Sequence, residues 1–206
     1  MKKMILLGWL GLFLVPMVWA QEKVEAPAWN VGDKWDFSKG GTAKVVGADQ
    51  NSYVVEFSNC DSMFEKYIDK LIFDKRSLNI LYTLTKGTRY KYTIGRRRLL
   101  NFPLSVGKQW KDKCTGKPIF NPSAPQTELD YEEFFSVLGW EDVKIKAGKF
   151  TTLKLEYYQR IIGRARSGTA LFWYSPEVKY FVKCQLDTTY WKILEDWEVT
   201  SFQLKK

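Results

Sequence analysis

The sequence contains no histidine. Its absence removes the commonest general base, the Ser-His and Cys-His nucleophile pairs, and histidine-ligated zinc or copper. Cysteine is scarce: Cys60, Cys114 and Cys184 are dispersed, with no Cys-x-x-Cys pair, so the spacing of a zinc cluster or redox dithiol is missing. A Gly-x-x-x-x-Gly-Lys phosphate loop and a Gly-x-Ser-x-Gly elbow are also lacking. Proline is limited to seven residues while aromatics reach 16%, which argues against disorder and suits pleated sheet. No cofactor and no metal is expected. With histidine missing, an enzyme working through carboxylates alone is the weakest reading, and the chain reads as non-enzymatic.

Long apolar runs are confined to the N-terminus. Lys2-Lys3 precede the uncharged stretch Ile5–Ala20, the layout of a secretory signal peptide. Val18-Trp19-Ala20 meets the small-residue cleavage rule in part, and Pro16 interrupts a run of 16 residues where a spanning helix needs about 20. Cleavage after Ala20 is favoured over retention as an anchor. The expected organisation is a signal peptide over 1–20 and a single β-rich periplasmic domain over 21–206 with an irregular connection at about 95–130. No membrane span is expected once the signal is removed, and the location is periplasmic or secreted.

Removing residues 1–20 takes away Lys2 and Lys3 and no acidic residue, so the formal charge falls from +9 to +7. Cationic surplus ordinarily raises the question of nucleic acid. Export makes that partner improbable and turns attention to lipid head groups, surface polymers and acidic protein faces. Dispersed Lys and Arg also serve solubility, and that plainer role is the favoured one.

Strand patterns recur along the chain. Tyr53, Val55 and Phe57 alternate with polar neighbours, and Thr42–Ala48 is joined to them through Asp49-Gln50-Asn51, a hairpin signal. Tyr90, Tyr92 and Ile94 alternate in turn. Val143 and Ile145 lead through Ala147-Gly148 into Leu153, Leu155 and Tyr157. Each segment has one apolar face, the mark of antiparallel sheet buried on one side. Leu171-Phe172-Trp173-Tyr174 is apolar on both faces and belongs at a covered position before the turn at Ser175-Pro176. Residues 62–72 mix a capping-box pattern, Ser62 and Glu65, with the strand-like Leu71-Ile72-Phe73, and strand is favoured. Val31-Gly32-Asp33-Lys34-Trp35 and Val106-Gly107-Lys108-Gln109-Trp110 share the form Val-Gly-x-x-Trp and mark two equivalent strand entries.

Carboxylates cluster at Asp130, Glu132 and Glu133 and again at Glu195, Asp196 and Glu198, and solvated surface is expected for both groups. Glu195 shares strand parity with Trp191, Ile193 and Trp197, which suggests a bulge or a rim position. Arg89, Lys91, Arg96, Arg97 and Arg98 form one basic concentration, and Arg160, Arg164 and Arg166 another beside Gly163 and Gly168. Convergence of Arg96, Arg97 and Arg98 with Arg164 and Arg166 would make an anion-binding rim, since guanidinium forks suit phosphate and carboxylate; independent exposed turns are the alternative. Cys60 and Cys114 lie in polar, loop-like settings and suit a disulfide in an oxidising compartment, whereas Cys184 shares a face with Val182 and Leu186 and reads as a buried thiol.

Phe102-Pro103-Leu104 with Val106-Gly107-Lys108-Gln109-Trp110, then Val143-x-Ile145-x-Ala147-Gly148-Lys149-Phe150, then Trp173-Tyr174-Ser175-Pro176-Glu177 resemble the patterns of an uncharacterised family of bacterial periplasmic β-proteins, a domain of unknown function. Lys146 stands where that group often has proline. The resemblance implies an antiparallel sheet curled into a half-barrel or a flattened sandwich, similar to periplasmic lipoprotein carriers, and brings no catalytic residues.

The expected fold is thus all-β and antiparallel, with little helix beyond the signal peptide. The expected role is an exported binding or carrier module for a lipid, another hydrophobic ligand or an anionic envelope partner. The alternative is an envelope structural or interaction protein with a filled core that binds a partner chain.

Overall fold

The alternation of apolar and polar residues becomes strands that each turn one side inward. In this computed structural model residues 23–60, 69–85, 88–91, 98–116, 129–163, 167–187 and 196–206 are described, with only the backbone at 85, 88–91, 114, 116 and 129. Residues 1–20, the expected signal segment, lie outside them. The described strands are β1 (Lys34–Phe37), β2 (Thr42–Ala48), β3 (Ser52–Ser58), β4 (Lys70–Asp74), β5 (Ile80–Thr85), β6 (Thr88–Lys91), β7 (Gln109–Gly116), β8 (Leu129–Ile145), β9 (Gly148–Ile161), β10 (Ser167–Ser175), β11 (Tyr180–Leu186) and β12 (Trp197–Gln203). A 3-10 turn at Ser38–Gly40 is the one helical element among the described residues. The segment expected to be irregular, 95–130, contains β7.

All twelve strands form one antiparallel sheet in the order β6-β5-β4-β3-β2-β1-β12-β11-β10-β9-β8-β7. Two consecutive meanders, β1–β6 and β7–β12, are joined where β12 returns to pair with β1, Trp35 opposite Phe202. Rows of inward residues run across the ladders. Trp110, Phe135, Tyr157, Ala170 and Leu186 make one such row, and Val137, Leu155, Phe172, Cys184 and Trp197 the next; all ten are buried. Cys184 is therefore a core thiol, as its strand parity required.

The sheet is open and curled, the half-barrel of the two expected forms. Trp29 shows why. Its ring lies 5.3 Å from Phe73 of β4 and 6.1 Å from Tyr180 of β11 between centroids, and also meets Trp35 and Tyr53. In a flat sheet β4 and β11 would stand about 24 Å apart at the usual strand spacing, so one indole reaches both only across a concavity.

Two stretches outside the strands enter that concavity. Val24 and Leu104 exchange two backbone hydrogen bonds of 2.8 Å, which ties the chain before β1 to the chain before β7. Trp29 donates from Nε1 to the carbonyl of Lys179 and from its backbone N–H to the Tyr53 hydroxyl, and Lys179 returns a bond from Nζ to Ala28. We refer to residues 23–30 as the strap. Leu100 and Leu104 are buried beside it, and Phe102 packs edge-on against Tyr174.

The two Val-Gly-x-x-Trp segments are built alike. Gly32 and Gly107 take φ of 98° and 80°, the left-handed region that glycine enters without a Cβ penalty. Each donates to a valine carbonyl in the strand that pairs with the one it enters, Val45 of β2 or Val137 of β8, while that valine's N–H donates back to the carbonyl of Asp33 or Lys108. Both partner strands then bulge just past the valine, between Val45 and Gly47 and between Val137 and Gly139. The tryptophans diverge only at their indoles: Trp35 donates to Val178 and Trp110 to Arg98.

Candidate functional site

At the β7 end of the inner face the apolar rows give way to a polar one. Asp112, Glu133 and Gln159 are register partners across β7, β8 and β9, followed by Gly168 on β10. Strand parity places them there, since Asp112 lies two residues from Trp110 and Glu133 two from Phe135. Glu133 is fully buried and its Oε1 accepts from the Tyr157 hydroxyl at 2.7 Å and from Gln159 Nε2 at 3.1 Å. Asp112 receives Arg98 through the backbone N–H, Nε and Nη2, and Arg98 also donates to the Lys111 carbonyl. The Asp112 carboxylate holds the Arg98 guanidinium above its ordinary pKa.

Glu132 points the other way. On the outer face it receives Lys111 at 2.9 Å, Lys113 at 3.4 Å and Arg160, although its own side chain is almost wholly covered. Hydrogen bonds first from Lys111 and then from Arg160 pull its pKa from 4.5 down to about 2. The next row pairs Phe134 with Lys111 and Tyr158, and the Phe134 ring lies beneath the Lys111 ammonium at 4.8 Å and the Arg160 guanidinium at 5.9 Å. Tyr158, Leu138 and Ile162 are exposed around this group.

These observations correct the expectation of solvated carboxylates. Glu132 and Glu133 occupy opposite faces, but both are buried, because β8 has a covered inner face and because three cations fold over Glu132 on the outer one. Asp130 alone of that cluster is exposed, accepting from Thr115. Asp196 is exposed as expected and accepts from the N–H of Leu186. Glu195 lies outside the described residues.

Of the expected anion rim, Arg98 is described and is held by Asp112, while Arg96, Arg97, Arg164 and Arg166 lie outside the described residues. Of the second basic concentration Arg160 is described, and it joins Lys111 and Lys113 on Glu132. Cys60 is buried just after β3, its thiol 3.3 Å from the Ser58 carbonyl. Cys114 sits in β7, described by backbone only, so the expected Cys60–Cys114 bridge lies outside the described side chains. Tyr90 and Tyr92 likewise fall outside them.

Sequence reasoning did not find Asp112 or Gln159, and it placed Tyr157 on an apolar strand face without its bond to Glu133. Asp112 sits between two lysines and reads as surface, and only its parity with Trp110 signals otherwise. Among the described residues no group of three or more His, Cys, Asp or Glu side chains is arranged to hold a metal ion. No described helix is long and apolar enough to cross a membrane.

The arrangement defines a class: an open antiparallel half-barrel whose concave side takes in its own strap. No family model and no curated protein matches the chain. Solved structures similar to it include a protein described as exported, with a YmcC-like fold, from Bacteroides fragilis, at 14% identity over 87% of this chain and 99% of that one, with a TM-score of 0.44. A protein described as a lipoprotein from Parabacteroides distasonis matches at 13% identity over 89% of this chain and 100% of its own, TM-score 0.40. The hypothetical lipoprotein YmcC from Escherichia coli matches at 10% identity over 87% and 90% of the two chains, TM-score 0.45. With TM-scores this low, the functional reading rests on this chain's own residues.

Proposed function

We propose that the chain is an exported envelope protein that works without catalysis, binding a partner on its outside while its interior is occupied by its own side chains. The observation that carries this is the seat of Trp29. A carrier needs a concavity open to its ligand, whereas here the strap lays an indole among four rings at the centre of the curl. Lys2-Lys3 and the apolar run Ile5–Ala20 support export to the periplasm or beyond. Catalysis by carboxylates is disfavoured because Asp112 and Glu133, although neighbours across a ladder, are both engaged by surrounding side chains.

A carrier for a hydrophobic ligand is the second reading, and one observation favours it. The hydroxyl of Tyr174 and the Nε1–H of Trp197 are buried on the inner side and have no hydrogen-bond partner among the described residues. Burial also drives the Tyr174 phenol well above its ordinary pKa. A ligand with one polar group among apolar ones would suit such a pair.

Native mass spectrometry of protein recovered from its own envelope, with and without prior crosslinking, separates the two readings. The interaction reading expects the bare chain without crosslinker and a discrete larger species with it. A stoichiometric adduct of lipid mass on the uncrosslinked chain would overturn it in favour of the carrier.

A further inference from the structure

We propose that the outer face of β7–β9 docks on an anionic phospholipid surface. This goes beyond the reading above, since a lipid surface is a contact in addition to a partner chain, and it rests on that reading for location alone.

Two register rows carry the proposal. Lys113, Glu132 and Arg160 make one, and Lys111, Phe134 and Tyr158 the other. Three cations surround one carboxylate, so the patch keeps a surplus of two positive charges. Glu132, with its pKa near 2, does not give up that charge at any ordinary pH. The cations stay accessible even so: the Lys113 side chain is 64% exposed, Arg160 51% and Lys111 45%. Glu132 from within and the Phe134 ring from below hold the cationic heads in place, which lowers the ordering cost when they meet phosphate.

The rim decides between a lipid surface and a soluble anion. Tyr158 shares the strand parity of Arg160 on β9, and Leu138 at the β8 bulge and Ile162 just past the end of β9 are exposed on the same hairpin. A free phosphate has no use for them, and an acidic peptide would need apolar side chains at matching places. A bilayer does, because aromatic and aliphatic side chains sink into the headgroup region while Lys and Arg meet the phosphates. Glu156, opposite Ser136 in the third row, closes the charged area on that side.

The test uses protein expressed with its leader, recovered from the exporting cell and checked at its N-terminus by mass spectrometry. It is sedimented with vesicles of phosphatidylcholine alone or with phosphatidylglycerol added. Binding is expected to the mixed vesicles only and to fade with salt, since the Debye length is about 10 Å at 0.1 M and shortens above it. Lys113→Gln leaves Lys111 and Arg160 on Glu132 and should weaken partition about fivefold. Ile162→Ser should weaken it separately, with thermal unfolding confirming both folds. Lys149→Gln, an exposed lysine paired with Asp142 at the far end of the hairpin, should leave binding unchanged.

Equal binding to both vesicle types, binding to neither, or equal losses from Lys113→Gln and Lys149→Gln would overturn the docking face. A crosslinked partner chain together with indifference to vesicles would sink this inference and leave the proposed function standing. A lipid adduct inside the native protein would do the reverse.

Discussion

Asp112 and Glu133 face one another across the β7–β8 ladder, both buried on the inner side of the sheet. Two carboxyl groups buried directly opposite one another in a ladder each need their own compensation. Arg98 provides it for Asp112, and Tyr157 with Gln159 contribute it for Glu133. Because Arg98 precedes β7 and lies against its edge, the same contact fixes the path of the segment leading to Leu104.

Replacing Asp112 by Asn keeps the shape and removes the charge that binds Arg98. We expect a loss of about 1–2 kcal/mol, limited because Arg98 is partly exposed and regains water. Urea unfolding measures it. Increased proteolysis between residues 98 and 104 should accompany the loss, since the guanidinium no longer holds that segment.

Glu132 gives the protein a pH-dependent contribution with a definite sign. Its carboxyl titrates at about 2 when folded and 4.5 in the reference state, so the contribution is present above pH 4.5 and is lost as pH falls toward 2. Urea midpoints of the parent and Glu132→Gln, compared across that range, should converge at the acid end and separate above it. A constant difference at all pH values would contradict the ion-pair origin.

Trp29→Ala should be costly for a residue outside every strand. Four ring contacts and the bond to Lys179 disappear together, and an aromatic removed from a core typically costs about 3–5 kcal/mol. Trp29→Phe keeps most of the packing and loses the indole donor, for about 1 kcal/mol. Thermal or urea unfolding of both variants checks the order.

The paired strand entries allow an internal comparison. Alanine at Gly107 meets nothing within 4 Å and should cost only its left-handed backbone, about 1–2 kcal/mol. Alanine at Gly32 bears the same backbone penalty and meets only the side chain of the exposed Lys205, at 3.2 Å from Cε, which can swing aside, so Gly32→Ala should cost about as much as Gly107→Ala. Comparing the unfolding midpoints of the two variants checks this.

The local sequence determined the strands and their inward faces. Alternation at Tyr53–Phe57 and Leu153–Tyr157, the Ala147-Gly148 turn and the two Val-Gly-x-x-Trp entries all express preferences of adjacent residues for extended backbone, tight turns and one apolar side. Tertiary structure decided the rest. The β1–β12 pairing, the strap under Trp29 and the burial of Glu132 and Glu133 depend on groups brought together from far along the chain. A carboxylate on a strand looks solvated until Lys111, Lys113 and Arg160 close over it, or until Tyr157 and Gln159 meet it inside. Charge and parity are properties of the chain, but desolvation belongs to the assembled neighbours, and the sheet had to curl before those neighbours existed.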